Sequence, residues 1–311
     1  MAKIAFVFPG QGSQKVGMGK DIHDNYTEAK ETLEKLSMEA NFPLIQLMFE
    51  GPEAELTSTQ NAQPALYAAS MMALNVLTGQ GIKPDFVAGH SLGEYSALAA
   101  ASVFRQEDGL MFVRKRGELM AKAGENSGGA MSAVLGLDAA KLEEACKKAS
   151  AIGIVGIANY NSNDQIVISG QKEAVEEAGK LASEAGAKRV IPLPVSGAFH
   201  SAIMKPASAE FEQYLADKNF HDAHIPVITN IDAKMEMRGD RFKEKLAIQI
   251  YDSVRWTQTI EYLIGEGVTT FVEVGSGKVL SGLIKKINRE AKIYNTDDVA
   301  GIEAAIADLK K

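Results

Sequence analysis

The chain has a single cysteine, Cys146, so it can form no internal disulfide and no cysteine cluster for a metal. In Lys141-Leu142-Glu143-Glu144-Ala145-Cys146 the cysteine follows Leu142 at the spacing of a buried helical face, and it reads as core rather than as a reactive thiol. Long apolar runs are also missing. The stretch 4–8 ends at Pro9-Gly10, and no other stretch is long enough for the apolar part of a secretion signal or a membrane span. A soluble protein with no membrane partner is expected, in the cytoplasm or, if a transit peptide was removed, in an organelle matrix. No long basic run occurs and the net charge is −7, which argues against nucleic acid as a partner. Only five histidines are present, which narrows the search for a catalytic base.

Hydrophobic residues make up 46% of the 311 and charged residues 23%, the balance of an ordered chain with a sizeable core. That length suits one large domain and a smaller one. Residues 4–8 read as a buried strand ending in the polar loop Gly10-Gln11-Gly12-Ser13-Gln14. Helical periodicity follows over 27–38 and 63–78, the second with Pro64 near its first turn. A strand at 86–88, a helix at 94–101 and a helix at 106–123 continue a β-α-β-α pattern, the signature of a parallel sheet covered by helices.

The pattern changes at Gly128-Gly129. A strand at 130–135, a helix at 139–150, strands at 152–159 and 165–169, a helix at 172–185 and a strand at 189–193 give β-α-β-β-α-β, the ferredoxin-like order. The expected fold is therefore α/β: an α/β-hydrolase-like, parallel-sheet large domain from 1–124 and 197–311, with a ferredoxin-like small domain at 125–196. In the resumed large domain, helices are expected at 205–215, 243–251, 256–265 and 279–287, and strands at 227–230 and 269–274.

The strongest local signal is Gly89-His90-Ser91-Leu92-Gly93 between the strand at 86–88 and the helix after it. Strand, sharp turn and helix with serine at the apex make a nucleophile elbow. The glycines let the turn close, and the helix N-terminus favours a developing negative charge beside the hydroxyl. Such a serine needs a base. His90 adjoins it, but neighbouring side chains on a tight turn diverge, so His90 supports the loop or lines the pocket. His23, His221 and His224 lie in polar surroundings and read as surface or structural. His200, in Pro194-Val195-Ser196-Gly197-Ala198-Phe199-His200-Ser201, stands where the small domain returns to the large one, a natural place for a cleft. Its position alone leaves base and structural histidine equally open. Oxyanion donors are expected from the backbone N–H of Leu92 and from Gln11. The loop at 10–14 lacks the third glycine and the lysine of a phosphate loop. Arg116 follows Arg114 and Lys115 on a helix. Such a triplet is ordinarily a solvated face, whereas a buried arginine would bind a carboxylate through two parallel hydrogen bonds.

These residues, with Arg116-Gly117 and Gln249 before Val254-Arg255-Trp256, occur in an order that resembles the malonyl-CoA:acyl carrier protein transacylases of bacterial-type fatty acid synthesis, over essentially the whole chain. The resemblance implies an acyltransferase in which Ser91 is acylated and His200 is the base, oriented by the main-chain carbonyl of Gln249. Backbone N–H groups of Gln11 and Leu92 would form the oxyanion hole, and Arg116 would pair with the malonyl carboxylate. Phe199 resembles the residue of malonyl-selective members. The implied partners are malonyl-CoA and an acidic acyl carrier protein, with no metal or redox cofactor and a monomeric enzyme. Lys188-Arg189 and Lys285-Lys286 with Arg289 are the candidate docking clusters for that acidic partner. One departure is Asn163-Asp164, where many relatives carry Pro-Gly; both pairs suit a turn. The alternatives are a serine esterase or thioesterase of α/β-hydrolase type, and a carrier-protein binder without catalysis. Against the first, no His-Gly-Gly motif is present, and no clear carboxylate-bearing segment lies between Ser91 and His200.

Overall fold

A computed structural model describes residues 3–125, 128–195 and 197–310. Among them ten strands form two sheets: β1 (Lys3–Phe8), β2 (Phe86–Gly89), β3 (Gly129–Leu135), β4 (Val155–Ser162), β5 (Gln165–Gln171), β6 (Arg189–Pro192), β7 (Val227–Ile228), β8 (Met235–Glu236), β9 (Val268–Glu273) and β10 (Lys292–Asn295). The first sheet runs β10-β9-β1-β2-β7-β8, parallel except for β8. Its central strands are apolar on both faces because helices cover both, so β2 reads Phe-Val-Ala-Gly with every residue buried. Parallel strands gather their C-terminal ends on one edge. There β1 delivers the loop at 10–14 and β2 delivers Ser91.

The second sheet is antiparallel, in the order β4-β5-β3-β6, with helices Ala139–Ala149 and Lys172–Glu184 packed on it. Cys146 is buried in that core, where burial pushes its thiol up to about 12 and leaves it unreactive. β4 begins at Val155 rather than 152, because a turn follows the helix and leaves Ile152 59% exposed. A parallel bridge between Asn159 and Val254, with Val254 N–H donating to Ala158 O at 2.8 Å, stitches β4 to the segment after Gln249. The expected boundary at Ser196 lies outside the described residues.

Two helices start well before the expected residue. The helix read as 63–78 spans Thr59–Gly79, so Pro64 lies inside it. Proline has no N–H to donate to the carbonyl of Gln60. Arg114 fills that place, donating Nη1 to Gln60 O at 3.0 Å and to Asn61 Oδ1 at 2.7 Å. The helix expected from 243 begins at Gly239, where the Gly239 N–H donates to Asp222 Oδ1 at 2.8 Å. No described helix is long and apolar enough to cross a membrane.

Candidate active site

Ser91 has a backbone φ of 51°, left-handed and strained for a residue with a Cβ. Two contacts hold it there. Its N–H donates to Asn230 Oδ1 at 2.7 Å, and its carbonyl accepts from Gln249 Nε2 at 2.9 Å. The flanking glycines are required by contact. A Cβ on Gly93 would meet Phe8 O at 2.0 Å, and one on Gly89 would meet Gly93 C and O at 1.9 Å. These are backbone atoms of β1 and of the turn itself, and they cannot yield without breaking the sheet. Gly93→Ala is expected to cost more than about 3 kcal/mol, measured by denaturant unfolding, and to remove activity with it.

His200 is 6% exposed, and its Nε2 lies 2.8 Å from Ser91 Oγ. Its Nδ1 lies 2.8 Å from Gln249 O and 3.1 Å from Asp252 O. Carbonyl oxygens only accept, so the ring proton sits on Nδ1 and donates to them. Nε2 is then bare and accepts the Ser91 hydroxyl proton. Burial first, and the Arg116 charge second, push His200 down to about 3, so the ring rests neutral; its role as base follows from the bare Nε2 facing Ser91 Oγ. Among the described residues no carboxylate contacts Nδ1; main-chain carbonyls orient the ring.

Arg116 is 1% exposed, not part of a solvated face. Its Nη1 donates to Gln63 Oε1 at 2.9 Å, and Nη2 donates to Gln249 Oε1 at 2.9 Å and Ser91 Oγ at 3.0 Å. The guanidinium lies over the Tyr95 ring, 5.5 Å from its centre. Desolvation lowers its pKa, and among the described residues no carboxylate is bonded to it, so the buried cation is ready for an anionic ligand.

These groups open into a cavity of about 750 Å³ between the two sheets. Gln11, His90, Phe199, Met131 and Val167 are among its lining residues. Gln11 is exposed, with Nε2 donating to Thr59 Oγ1 at 3.4 Å. Leu92 starts the helix Gly93–Ala100, its side chain buried in the core. His90 does not approach Ser91 Oγ as a base. Its Nε2 lies 2.8 Å from Asn161 Oδ1 of β4, and its ring stands edge-on to Trp256 at 5.6 Å. His23, His221 and His224 do not line the cavity. The sequence alone does not show the parts played by Gln63, Asn161 and Asn230, which the fold brings from distant segments, or by Glu94, three residues after Ser91.

The acyl transferase domain family matches residues 5–304. The malonyl CoA-acyl carrier protein transacylase of Bacillus subtilis is 49% identical over 100% of this chain and 98% of its own length. The chain belongs to the malonyl CoA-acyl carrier protein transacylase family. Among solved structures, an acyl carrier protein S-malonyltransferase from Vibrio cholerae is 43% identical, with a TM-score of 0.95 over 98% of this chain and 100% of that one. A malonyl-transacylase solved in complex with a type II PKS acyl-carrier protein is 40% identical, with a TM-score of 0.95 over 98% of this chain and 99% of that one.

Proposed function

We propose that the enzyme transfers malonyl from malonyl-CoA to the phosphopantetheine thiol of an acyl carrier protein through a malonyl ester on Ser91, in fatty acid biosynthesis. The observation that carries this reading is the meeting at Ser91 Oγ of a bare imidazole nitrogen and a buried guanidinium. The first is a base for an attacking hydroxyl. The second is a counter-ion for an acyl group with its own carboxylate, which a simple esterase has no use for.

The steps balance on these groups. Ser91 Oγ attacks the thioester carbonyl as its proton passes to His200 Nε2. The C–S bond breaks, and His200 returns the proton to the CoA sulfur. The carrier thiol then gives its proton to His200 and attacks the ester, and Ser91 Oγ leaves with that proton. Backbone N–H groups of Leu92 and Gln11 are assigned to the oxyanion, Leu92 at a helix N-terminus whose dipole favours it. Binding of the malonyl carboxylate offsets the Arg116 charge that depresses His200, so the correct substrate strengthens its own base. Phe199 and His90 shape the acyl end of the cavity. The chemistry needs no metal or redox cofactor, and we take the enzyme to be a cytoplasmic monomer. We read the antiparallel sheet and its two helices as a ferredoxin-like insert at 125–196 in an α/β-hydrolase-like domain formed by 1–124 and 197–311.

For the carrier protein, the helix Val279–Ile287 supports a docking role. Val279, Leu280 and Leu283 line the cavity, while Lys286 and, just beyond the helix, Arg289 are exposed. The Lys285 ammonium is committed differently, donating to Arg289 O at 3.2 Å and Ala291 O at 2.6 Å across the end of its own helix. Lys188 and Arg189 are exposed at the start of β6. Charge reversal at Lys286 and Arg289 is expected to raise KM for an acidic, phosphopantetheinylated carrier about tenfold and leave loading from malonyl-CoA unchanged. Unchanged carrier kinetics would refute docking there. Hydrolysis of simple esters without transfer would favour the esterase instead.

A further inference from the structure

Glu94 is 1% exposed, one turn beyond the nucleophile, and is neither base nor oxyanion donor. Burying a carboxylate is costly unless it is paired, so its contacts should reveal its purpose. Its Oε2 accepts from Gln249 Nε2 at 2.6 Å, and both oxygens lie 3.4 Å from the Asn230 N–H. Gln249 and Asn230 are the two residues that hold the Ser91 backbone.

Gln249 has two faces. Its Nε2 meets three acceptors: Glu94 Oε2 at 2.6 Å, Ser91 O at 2.9 Å and Asn230 Oδ1 at 3.4 Å. Its Oε1 meets one donor, Arg116 Nη2, at 2.9 Å. A rotated amide would set its N–H groups against the guanidinium and its oxygen against a carboxylate, so the network fixes one direction. The shortest contact that sets it is the one to Glu94. Asn230 cannot rotate instead, because its Nδ2 donates to Gly89 O at 2.6 Å while its Oδ1 accepts from Ser91.

We propose that Glu94 is a positioning residue that fixes the direction of the Gln249 amide, and through it aims Arg116 at the acyl carboxylate and holds the Ser91 turn. This rests on the reading of the site as a malonyl transferase. A buried carboxylate here is a stability cost accepted for function. Burial pushes Glu94 up to about 7. Its neighbouring charges are Lys245 and Arg116, which favour the anion, and Asp232, which opposes it; the Tyr95 hydroxyl also lies close. With a raised pKa, the carboxyl stabilises the fold most below its ordinary range, and that stability is lost as pH rises through about 7. Neutral glutamine should therefore fold at least as well at pH 8.

The test compares wild type, Glu94→Gln and Glu94→Asp at pH 8. It reads kcat/KM for loading from malonyl-CoA and from acetyl-CoA, with thermal midpoints. Glu94→Gln should keep or raise the midpoint, yet lower the malonyl-to-acetyl ratio at least about tenfold, since only malonyl uses Arg116. Glu94→Asp keeps the charge but withdraws it by one methylene, and should lower the same ratio. Either variant with the wild-type ratio would overturn the proposal. So would equal losses on both substrates in step with a lower midpoint, which a purely structural role predicts. Wild-type loading reports separately on the parent reading: a wild type that loads acetyl as well as malonyl would overturn both.

Discussion

Replacing Ser91 by alanine should lower malonyl transfer by about 10⁴-fold or more while leaving the fold intact. The size follows from what the hydroxyl does. Among the described residues it alone lies 2.8 Å from the bare nitrogen of His200 and 3.0 Å from Arg116, so without it the base has no nucleophile to activate. Direct attack by the carrier thiol would have to replace two easier steps by one difficult one. Stability should hold, because the strained turn is kept by backbone contacts to Asn230 and Gln249 that alanine also makes. His200→Ala should lose nearly as much, and the double variant little more, because the pair acts as a unit. The check is steady-state transfer to a phosphopantetheinylated carrier, with thermal unfolding of each variant alongside.

Arg116→Ala should lower kcat/KM for malonyl-CoA by about 10²- to 10³-fold and that for acetyl-CoA by less than about tenfold. The guanidinium is buried and, among the described residues, no carboxylate is bonded to it, so a malonyl carboxylate entering the cavity meets a cation that water screens poorly. Gln63 and Gln249 hold two of its nitrogens and so fix its plane before substrate arrives. Arg116→Lys should recover only part of the loss, since an ammonium cannot serve Gln63, Gln249 and a carboxylate with the same planar fork. Equal losses for both acyl-CoAs would mean that Arg116 acts on the nucleophile alone. Competition between the two substrates, read as the ratio of loaded acyl groups, measures this directly.

How much of this was visible in the sequence depended on distance along the chain. Ser91 was legible because strand, glycine, serine, glycine and helix are contiguous, and each piece has a local physical reason. The change from β-α-β-α to β-α-β-β-α-β near residue 128 was equally local. Arg116 was not legible from its neighbours, since a basic triplet looks the same whether one member is solvated or buried. Its burial comes from the packing of its helix, Gln106–Glu125, against the helix Thr59–Gly79, which brings Gln63 to it. The clamp on Ser91 comes from Asn230 and Gln249, 139 and 158 residues away, and no spacing rule reaches that far. His200 was undecided by position because a main-chain carbonyl orients it, and any residue carries one. Pro64 misled the helix start because its penalty is met from another helix by Arg114. The edge strand Lys292–Asn295 has four residues, too few to show a period.

The central claim is that the acyl group rests on Ser91 between its two carriers. The most direct test is the intact mass of the protein after brief mixing with malonyl-CoA, before and after addition of phosphopantetheinylated carrier protein. The predicted result is one malonyl adduct per chain that is absent from Ser91→Ala and disappears as the carrier gains the same mass. Release of CoA with no adduct, or an adduct that persists in Ser91→Ala, would contradict the account.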